Sequence, residues 1–326
     1  GDRPSVALAL VTGEIDWDGM WVGLPHYPMF VEAHEKSGLM IGKYLAPGMQ
    51  ILFNMDAPDE EARAVLRNVY VRRAISMSID RDSINRALQY DQGIKVGAGW
   101  TPDSAYYDEE WGTLYTEFDL PGARAMLDEA GIVDTDGDNI RELPTGEKCE
   151  LIWDGYIHDL YTPMQEMIVA TVKQAGINLI INQQHQTLHT ENLRAGTYEV
   201  SMYDFYYAVE PFLELSAWLP YLPGSLTAWH VNGNTDPVSP EFTKFAELLV
   251  KGATAPTAEE RLEIGKQAGK IAAEQCWLLH IGLQDRPYGY QPWMRNIPDR
   301  AIRVQELGVQ EMPFAWYQVW KIAEKR

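Results

Sequence analysis

Residues 71–84 read VRRAISMSIDRDSI, a run in which apolar residues recur every three or four positions. The same spacing reaches back to the stretch after Asp59 and forward to Ile79, which predicts one long helix. Asp80 follows, and its side chain can accept the free amides of a first helical turn. A second helix is therefore predicted over residues 81–90.

Short apolar strands alternate with helices along the rest of the chain. Asp119, with Pro121 in the first turn, predicts the start of a helix that stops at Gly131. Further helix starts are predicted at Ser239 and at Thr257, where Glu260 completes a capping box. Strands are predicted at residues 149–153, 177–181 and 199–203. This alternation is typical of the α/β fold class and predicts an α/β lobe over about residues 65–285.

Length and charge set limits on the class of protein. The chain has 326 residues, more than one domain usually holds, so two lobes are expected. Its 27 basic and 47 acidic residues give a formal net charge of −20, which disfavours binding to nucleic acid or to anionic membrane surfaces. Its apolar runs are shorter than the roughly 20 residues that cross a bilayer.

The sequence contains no recognised catalytic motif. Gly-x-Ser-x-Gly, phosphate-loop and dinucleotide patterns are lacking, so neither enzymatic activity nor a cofactor is expected. A glycoside-acting enzyme stays open as an alternative, because 47 acidic residues could supply a catalytic carboxylate pair. Cys149 and Cys276 stand in apolar surroundings and are predicted to be buried thiols, with a disulfide between them left open.

Five segments resemble the family-5 extracytoplasmic solute-binding proteins, and they follow one another along the chain as they do in that family. These proteins are the peptide, oligosaccharide and nickel receptors of ABC importers. Residues 71–84 are similar to the family's most recognisable helix pair. The others are VTGEID at 11–16, LFN at 52–54, the helix, acidic turn and hairpin of residues 119–142, and the helix of residues 257–277.

This resemblance implies a periplasmic-binding-protein-like fold of type II. Residues 65–285 would form a complete lobe II, and residues 1–64 and 286–326 part of lobe I. Family members usually carry further residues before the point where this chain starts. A partner that supplies this missing N-terminal portion of lobe I is therefore expected to cover apolar surface.

The resemblance also implies a function and a location. A small solute would be captured between two lobes and passed to the membrane permease of an ABC importer. The protein would be periplasmic or extracellular, with a lipoprotein anchor as an option. A chain that works only after assembly with a separate N-terminal chain is a further alternative.

The segment YDFYYAVEPF at residues 203–212 resembles the ligand-facing segment of the family, which ends in Asp-Pro. In its peptide receptors this segment carries an aspartate that pairs with the peptide's ammonium group. The corresponding residue here is Tyr207, and the dipeptide is Glu210-Pro211. An oligosaccharide is therefore favoured and an oligopeptide comes second, with Asp204 or Glu210 left open as a substitute partner.

Aromatic side chains stack on sugar rings while their polar tips bind hydroxyl groups. Packing in the core is the alternative reading for each aromatic residue. The predicted ligand-binding residues are Trp21, Asn54, Trp100, Tyr203, Asp204, Tyr206, Tyr207, Trp218 and Trp229.

Asp134, Asp136 and Asp138 have the one-three-five spacing of a calcium loop, with Glu142 at position nine. Position six is an asparagine and position twelve a threonine, where such loops carry glycine and glutamate. An acidic hairpin turn with left-handed residues at 137 and 139 is therefore favoured, and calcium is the weaker alternative.

His185 and His189 lie four residues apart, and His158 could join them as a metal ligand. No carboxylate follows the pattern of helical zinc sites, so all three are predicted to be surface residues.

Overall fold

The computed structural model describes residues 3–18, 23–46, 48–158, 160–203, 210–213, 215–219, 238–297, 300–301 and 320–321. The chain divides into two compact units. Unit 1 comprises Gly1–Ala46, Gln89–Ile94 and Leu283–Arg326, and unit 2 comprises Pro47–Leu88 and Lys95–Gly282. The bounds predicted for the lobes differ from these, since residues 47–64 belong to unit 2 and residues 89–94 and 283–285 to unit 1.

The helices in chain order are α1 (Arg3–Val11), α2 (Tyr27–Ser37), α3 (Glu60–Arg67), α4 (Val69–Met77), α5 (Arg81–Leu88), α6 (Glu109–Gly112), α7 (Leu120–Glu129), α8 (Tyr161–Ala175), α9 (Gln186–Ala195), α10 (Leu215–Trp218), α11 (Pro240–Ala253) and α12 (Ala258–Gln275). The strands are β1 (Trp17–Asp18), β2 (Met40–Ala46), β3 (Met49–Phe53), β4 (Gly93–Ile94), β5 (Glu150–Tyr156), β6 (Asn178–Gln184), β7 (Val200–Tyr203), β8 (Leu278–Ile281), β9 (Leu283–Tyr290), β10 (Met294–Arg295), β11 (Arg300–Ala301) and β12 (Trp320–Lys321).

Side-chain caps begin several helices where the sequence predicts them. Asp80 accepts from the amide of Ser83 at 2.9 Å. Asp119 caps α7, Ser239 caps α11 and Thr257 caps α12, each through an amide three residues later. These starts are confirmed because a cap needs only residues that are adjacent in sequence.

The single long helix predicted between Asp59 and Ile79 is wrong. Asn68 has an extended backbone, with φ −75° and ψ 115°, and separates α3 from α4. Its side-chain oxygen accepts from the amide of Tyr70 at 3.0 Å, so Asn68 caps a new helix. The apolar spacing continues across this break, which explains why periodicity alone misses it.

Within the described residues, unit 2 is built on a sheet of five strands in the order β6-β5-β7-β3-β8. Strands β6, β5 and β7 run parallel, and β3 is antiparallel to both β7 and β8. All five residues of β3 are buried, as expected for a strand inside a sheet that is covered on both faces.

The core of unit 2 is rich in aromatic side chains. Trp100, Trp153 and Trp277 are almost completely buried. Phe245 packs against Trp277, with ring centroids 5.1 Å apart. Rings of this size each remove a large apolar area from water, so a few of them supply much of the packing.

The arginine group, Arg72, Arg73 and Arg81, lies in the helix pair of residues 71–84. Arg72 donates through Nε to the carbonyl of Gln275 at 3.0 Å and through Nη1 to that of Leu66 at 2.6 Å. Arg73 donates to the carbonyl of Glu274 at 2.9 Å. Because the last carbonyls of a helix lack partners of their own, Arg72 and Arg73 satisfy the end of α12 and hold it against α4, whereas Arg81 donates to the carbonyl of Ser76.

In unit 1, β9 is antiparallel to β1, β2 and β4, and β11 is parallel to β2. Helices α1 and α2 pack together through a small core that includes Leu10 and Phe30. Tyr288 covers Gly42, where an added Cβ would lie 2.2 Å from the ring. Within the described parts of both units, no helix has the length and apolar character needed to cross a membrane.

Candidate functional site

The candidate site lies at one edge of the sheet in unit 2. Strands β5, β6 and β7 are parallel, so their last residues, Tyr156, Gln184 and Tyr203, end at the same edge, called here the carboxyl edge. Ligands of open α/β sheets usually bind outside the carboxyl ends of the strands. The side chains at this edge are therefore the first place to seek a ligand.

Five rings meet there and form the ring cluster: Tyr156, His158, Tyr161, His189 and Tyr203. Tyr156 has its ring centroid 5.1 Å from that of His189 and 6.1 Å from those of Tyr161 and Tyr203. His158 stacks on Tyr161 at 4.2 Å, and the rings of His189 and Tyr203 are parallel at 6.2 Å. Tyr156 thus lies between two stacked pairs.

The first pair is fixed by the start of α8. The Nδ1 atom of His158 accepts from the amide of Leu160 at 3.1 Å, and Thr162 Oγ1 accepts from the amide of His158 at 3.1 Å. These bonds satisfy amides that the first helical turn leaves free. His158 and Tyr203 are half-buried, so part of each residue is accessible to solvent.

The second pair is fixed by α9 and β7. His189 is fully buried, and its Nε2 atom lies 3.0 Å from the hydroxyl oxygen of Ser201. Burial lowers the pKa of His189, against a smaller opposing effect of the Asp154 carboxylate and backbone. The imidazole is therefore neutral at pH 7.

Polar side chains support the strand ends beneath the rings. The buried carboxylate of Asp154 accepts from Asn182 Nδ2 at 2.8 Å. Gln165 of α8 is fully buried and accepts from Gln183 Nε2 at 2.9 Å. Gln165 lies against Gly155, where an added Cβ would be 2.5 Å from the amide group. The Asp154–Asn182 bond thus links the ends of β5 and β6, and the Gln165–Gln183 bond links α8 to β6.

A second buried histidine, His280, lies on β8, which β3 separates from β7. Gln50 is opposite both Tyr203 and His280 in the sheet register, and its Nε2 atom is 3.1 Å from His280 Nδ1. The Nε2 atom of His280 lies 3.3 Å from the carbonyl oxygen of Gly99. Burial lowers the pKa of His280 to about 4, so this side chain is also uncharged at pH 7.

Glu210 has partners within unit 2. Its carboxylate accepts from the hydroxyl of Tyr106 at 3.0 Å and from Nη2 of Arg261 at 3.2 Å. Phe212 lies under the Arg261 guanidinium, 5.1 Å from the ring centroid. These contacts anchor residues 210–212. They also occupy the Glu210 carboxylate, which the sequence offered as a possible partner for a peptide ammonium group.

Several predicted ligand-binding residues fall outside the part of the chain that the structure describes. They are Trp21, Asp204, Tyr206, Tyr207 and Trp229. Tyr203 is described and belongs to the ring cluster.

Trp100, Trp218 and Asn54 lie in the interior of unit 2. Trp100 is fully buried, donates to the carbonyl of Gly265 at 2.6 Å and meets Trp218 edge to face at 5.1 Å. Asn54 is also fully buried and donates to the carbonyls of Gly196 and Tyr198, at 3.0 and 2.7 Å. These side chains are enclosed by protein and serve the packing of unit 2, which argues against the ligand contacts predicted for them.

The sequence prediction missed four members of the ring cluster. Tyr156 and Tyr161 follow the strand that was predicted at residues 149–153, and their position at its carboxyl end was the available signal. The surface location predicted for His189 is wrong, because its side chain is fully buried. Its place on the inner face of α9 depends on how that helix packs on β5.

The acidic turn has the backbone that the sequence predicts. Gly137 and Asn139 both have left-handed φ values, +81° and +72°. Cys149 and Cys276 are buried free thiols, which confirms that prediction. Burial raises their pKa values to about 12 and about 11, so both stay protonated and chemically quiet at pH 7.

The fold is that of the type II periplasmic binding proteins. The chain superposes on the oligopeptide-binding protein OppA with a TM-score of 0.79 and 22% identity, covering 93% of this chain and 52% of OppA. It matches the periplasmic binding protein MelB of Agrobacterium fabrum C58, solved in complex with stachyose, with a TM-score of 0.73 and 19% identity, covering 91% of this chain and 47% of MelB.

Sequence comparison gives the family. Residues 1–218 match the bacterial extracellular solute-binding proteins, family 5 Middle, and the chain belongs to this family. The chain is also 26% identical over 248 residues to the periplasmic alpha-galactoside-binding protein of Rhizobium meliloti (strain 1021), covering 71% of this chain and 34% of the relative. It therefore spans about a third of that relative and about half of the two solved structures.

Proteins of this family are the solute-binding components of ABC importers, and they work with membrane permeases. The relatives named here are binding proteins and not enzymes.

Proposed function

We propose that this chain binds an oligosaccharide at the carboxyl edge of unit 2, as part of a solute-binding protein that serves an ABC importer. The observation that carries the proposal is the ring cluster. Tyr156, Tyr161 and His189 are buried and support the half-buried rings of His158 and Tyr203. These two rings offer apolar surface for stacking and polar atoms for hydrogen bonds to hydroxyl groups.

Among the residues that the structure describes at this edge, the charge supports a neutral ligand. His189 and His280 are uncharged at pH 7 because burial lowers their pKa values. The carboxylate of Asp154 is buried and accepts from Asn182. A peptide ammonium group would need an accessible carboxylate, whereas sugar hydroxyls are served by amides and neutral rings.

Two of the three relatives bind sugars and one binds peptides, so they favour a sugar ligand but include both classes. The curated relative is an alpha-galactoside-binding protein, and MelB was solved with stachyose, whereas OppA binds oligopeptides. The anchoring of Glu210 by Tyr106 and Arg261 favours the sugar ligand, because that carboxylate already has two partners. We extend the periplasmic location of these relatives to this chain as part of the proposal.

A calorimetric titration with stachyose and, separately, with tetraalanine tests the ligand class. We expect the protein to bind stachyose and to give no heat with the peptide. Tyr203→Ala should weaken stachyose binding about tenfold, since loss of a stacked ring typically costs roughly 1 kcal/mol beyond its buried area.

Phe118→Ala is the matched control, because Phe118 is an exposed ring outside the cluster. Its affinity for stachyose should equal that of the unchanged protein. Peptide binding in place of sugar binding would refute the oligosaccharide assignment. Equal loss in both variants would refute the assignment of the site.

A further inference from the structure

The hairpin between α7 and β5 carries a compact group of carboxylates. Asp134, Asp136, Asp138 and Glu142 each place one oxygen within 4.8 Å of those of the other three. Oxygens that bind one Ca²⁺ at 2.3–2.6 Å can be at most about 5 Å apart, on opposite sides of the ion. The four side chains therefore already lie within the dimensions of a single calcium coordination sphere.

Glu142 is the member whose position needs an explanation. It is only 7% exposed, and its Oε1 atom has no hydrogen-bond partner within the described residues. The other oxygen, Oε2, accepts from the amide and the hydroxyl of Thr135, both at 2.7 Å. A carboxylate buried with one oxygen unpaired costs free energy, and a bound cation would remove that cost.

The hairpin holds Glu142 rigidly at the base of the acidic turn. Its backbone pairs with that of Val133 on one side and Lys148 on the other. The neighbouring Arg141 points away from the loop, since it binds the carboxylate of Asp128 at 2.5 Å and the carbonyl of Ile132 at 2.7 Å. Arg141 therefore does not neutralise the four carboxylates.

The left-handed backbone at Asn139 is compatible with the sharp turn of a calcium loop. Calcium loops of this spacing usually carry glycine at the sixth position because the chain turns sharply there. Asn139 adopts φ +72°, a conformation that asparagine tolerates better than most residues. Glu142, at position nine, places a carboxylate oxygen within the group, at a position that supplies a ligand in such loops.

Among the described residues, Lys148 is the cation that contacts these carboxylates. Its ammonium group binds the carboxylate of Asp138 and lies 3.8 Å from Asp136 Oδ2. One positive charge faces four carboxylates, so a net negative charge of three remains in the loop. Lys148 is partly exposed and has a flexible stem, so a divalent ion can displace its ammonium group.

We propose that Asp134, Asp136, Asp138 and Glu142 form a calcium-binding site, and that Lys148 competes with the ion for the same carboxylates. The loop is short and surface-exposed and contains a competing lysine, so the affinity belongs to the weak range of extracellular modules, with Kd about 0.1–1 mM. Calcium bound here would fix the hairpin that leads into β5.

Calorimetric titration of the chelator-treated protein with CaCl2, and in parallel with MgCl2, tests this site. We expect binding of Ca²⁺ and at least tenfold weaker binding of Mg²⁺, which requires shorter bonds and near-octahedral geometry. Asp136→Asn should weaken Ca²⁺ binding at least tenfold. Lys148→Gln should tighten it severalfold, because the competitor is gone.

Asp82 and Lys95 provide matched controls, since they form another surface ion pair at 2.9 Å. Asp82→Asn and Lys95→Gln should leave the Ca²⁺ affinity unchanged. Glu142→Gln tests the buried ligand, and circular dichroism shows whether that variant folds. If it does not fold, Asp136→Asn, which alters an exposed side chain, still decides the question.

Absence of Ca²⁺ binding would overturn the proposal. So would an affinity that Asp136→Asn and Lys148→Gln do not change, because the ion would then bind elsewhere on a chain of net charge −20.

Discussion

The arginine group and the ring cluster lie in the same unit but are constructed in opposite ways. Arg72 and Arg73 come from the segment through which the chain most resembles its family, and both bind main-chain carbonyls at the end of α12. The ring cluster comes from β5, the start of α8, α9 and β7, and no single motif contains it. The most recognisable segment thus serves the fold, while the candidate ligand residues are scattered along the sequence.

This difference follows from what each group must recognise. Carbonyls at a helix end have the same geometry whatever the side chains are, so arginines at fixed spacing can serve the scaffold without regard to the ligand. A ligand face must instead match one solute, and its residues are brought together only when parallel strands end at one edge.

The largest expected effect is on the arginine group. Arg72→Met keeps the apolar stem but leaves the carbonyls of Gln275 and Leu66 without their donor in a buried site. We expect the free energy of unfolding to fall by about 3 kcal/mol or more, as measured by urea unfolding.

Arg86→Met is the control for Arg72→Met, since Arg86 is exposed, and its effect should stay within about 0.5 kcal/mol. Folded Arg72→Met protein should bind stachyose with unchanged affinity. If Arg72→Met instead lost stachyose affinity and kept its stability, Arg72 would belong to the ligand site and not to the scaffold.

A second effect tests the neutral, buried His280 on β8. The pKa of His280 is about 4 in the folded protein and about 6.5 when unfolded, so the unfolded chain binds more protons between these values. Stability that is complete above pH 6.5 should fall as the pH drops towards 4, by up to about 3 kcal/mol.

Urea unfolding between pH 4 and 8 measures this effect, with His280→Gln as the comparison. The difference between the two stability curves should be constant above pH 6.5 and should shrink as the pH falls below it. Parallel curves over the whole range would mean that His280 titrates normally and that this part of the sheet is accessible to water.

Much of the fold could be predicted from sequence because its signals are local. Asp119 and Thr257 cap helices through amides three residues away, and Gly131 and Gly176 end helices with left-handed backbones. The break at Asn68 was missed because apolar spacing continues on both sides of it.

The candidate site was predictable only in part. Tyr203 could be found because it starts a segment that resembles a ligand-facing segment of the family. His189 and Tyr156 could not, since their meeting depends on the pairing of β5 with β7 and the packing of α9. Trp100 was misplaced because a large ring suits a core as well as a binding site.

The smallest effect separates the two roles of His158. Its Nδ1 atom accepts from the amide of Leu160, and its ring stacks on Tyr161 at 4.2 Å. Asparagine offers a comparable acceptor without a ring, whereas alanine offers neither. His158→Ala should therefore lower the free energy of unfolding by about 1 kcal/mol, and His158→Asn by less than about 0.5 kcal/mol.

Stachyose affinity should respond differently from stability. If the His158 ring contacts the sugar, both variants should lose affinity by about two- to tenfold, the effect of one stacked ring. Calorimetric titration measures this loss. Should His158→Asn bind stachyose as well as the unchanged protein, His158 would serve only the start of α8, and the ligand face would shrink to the Tyr203 side of the ring cluster.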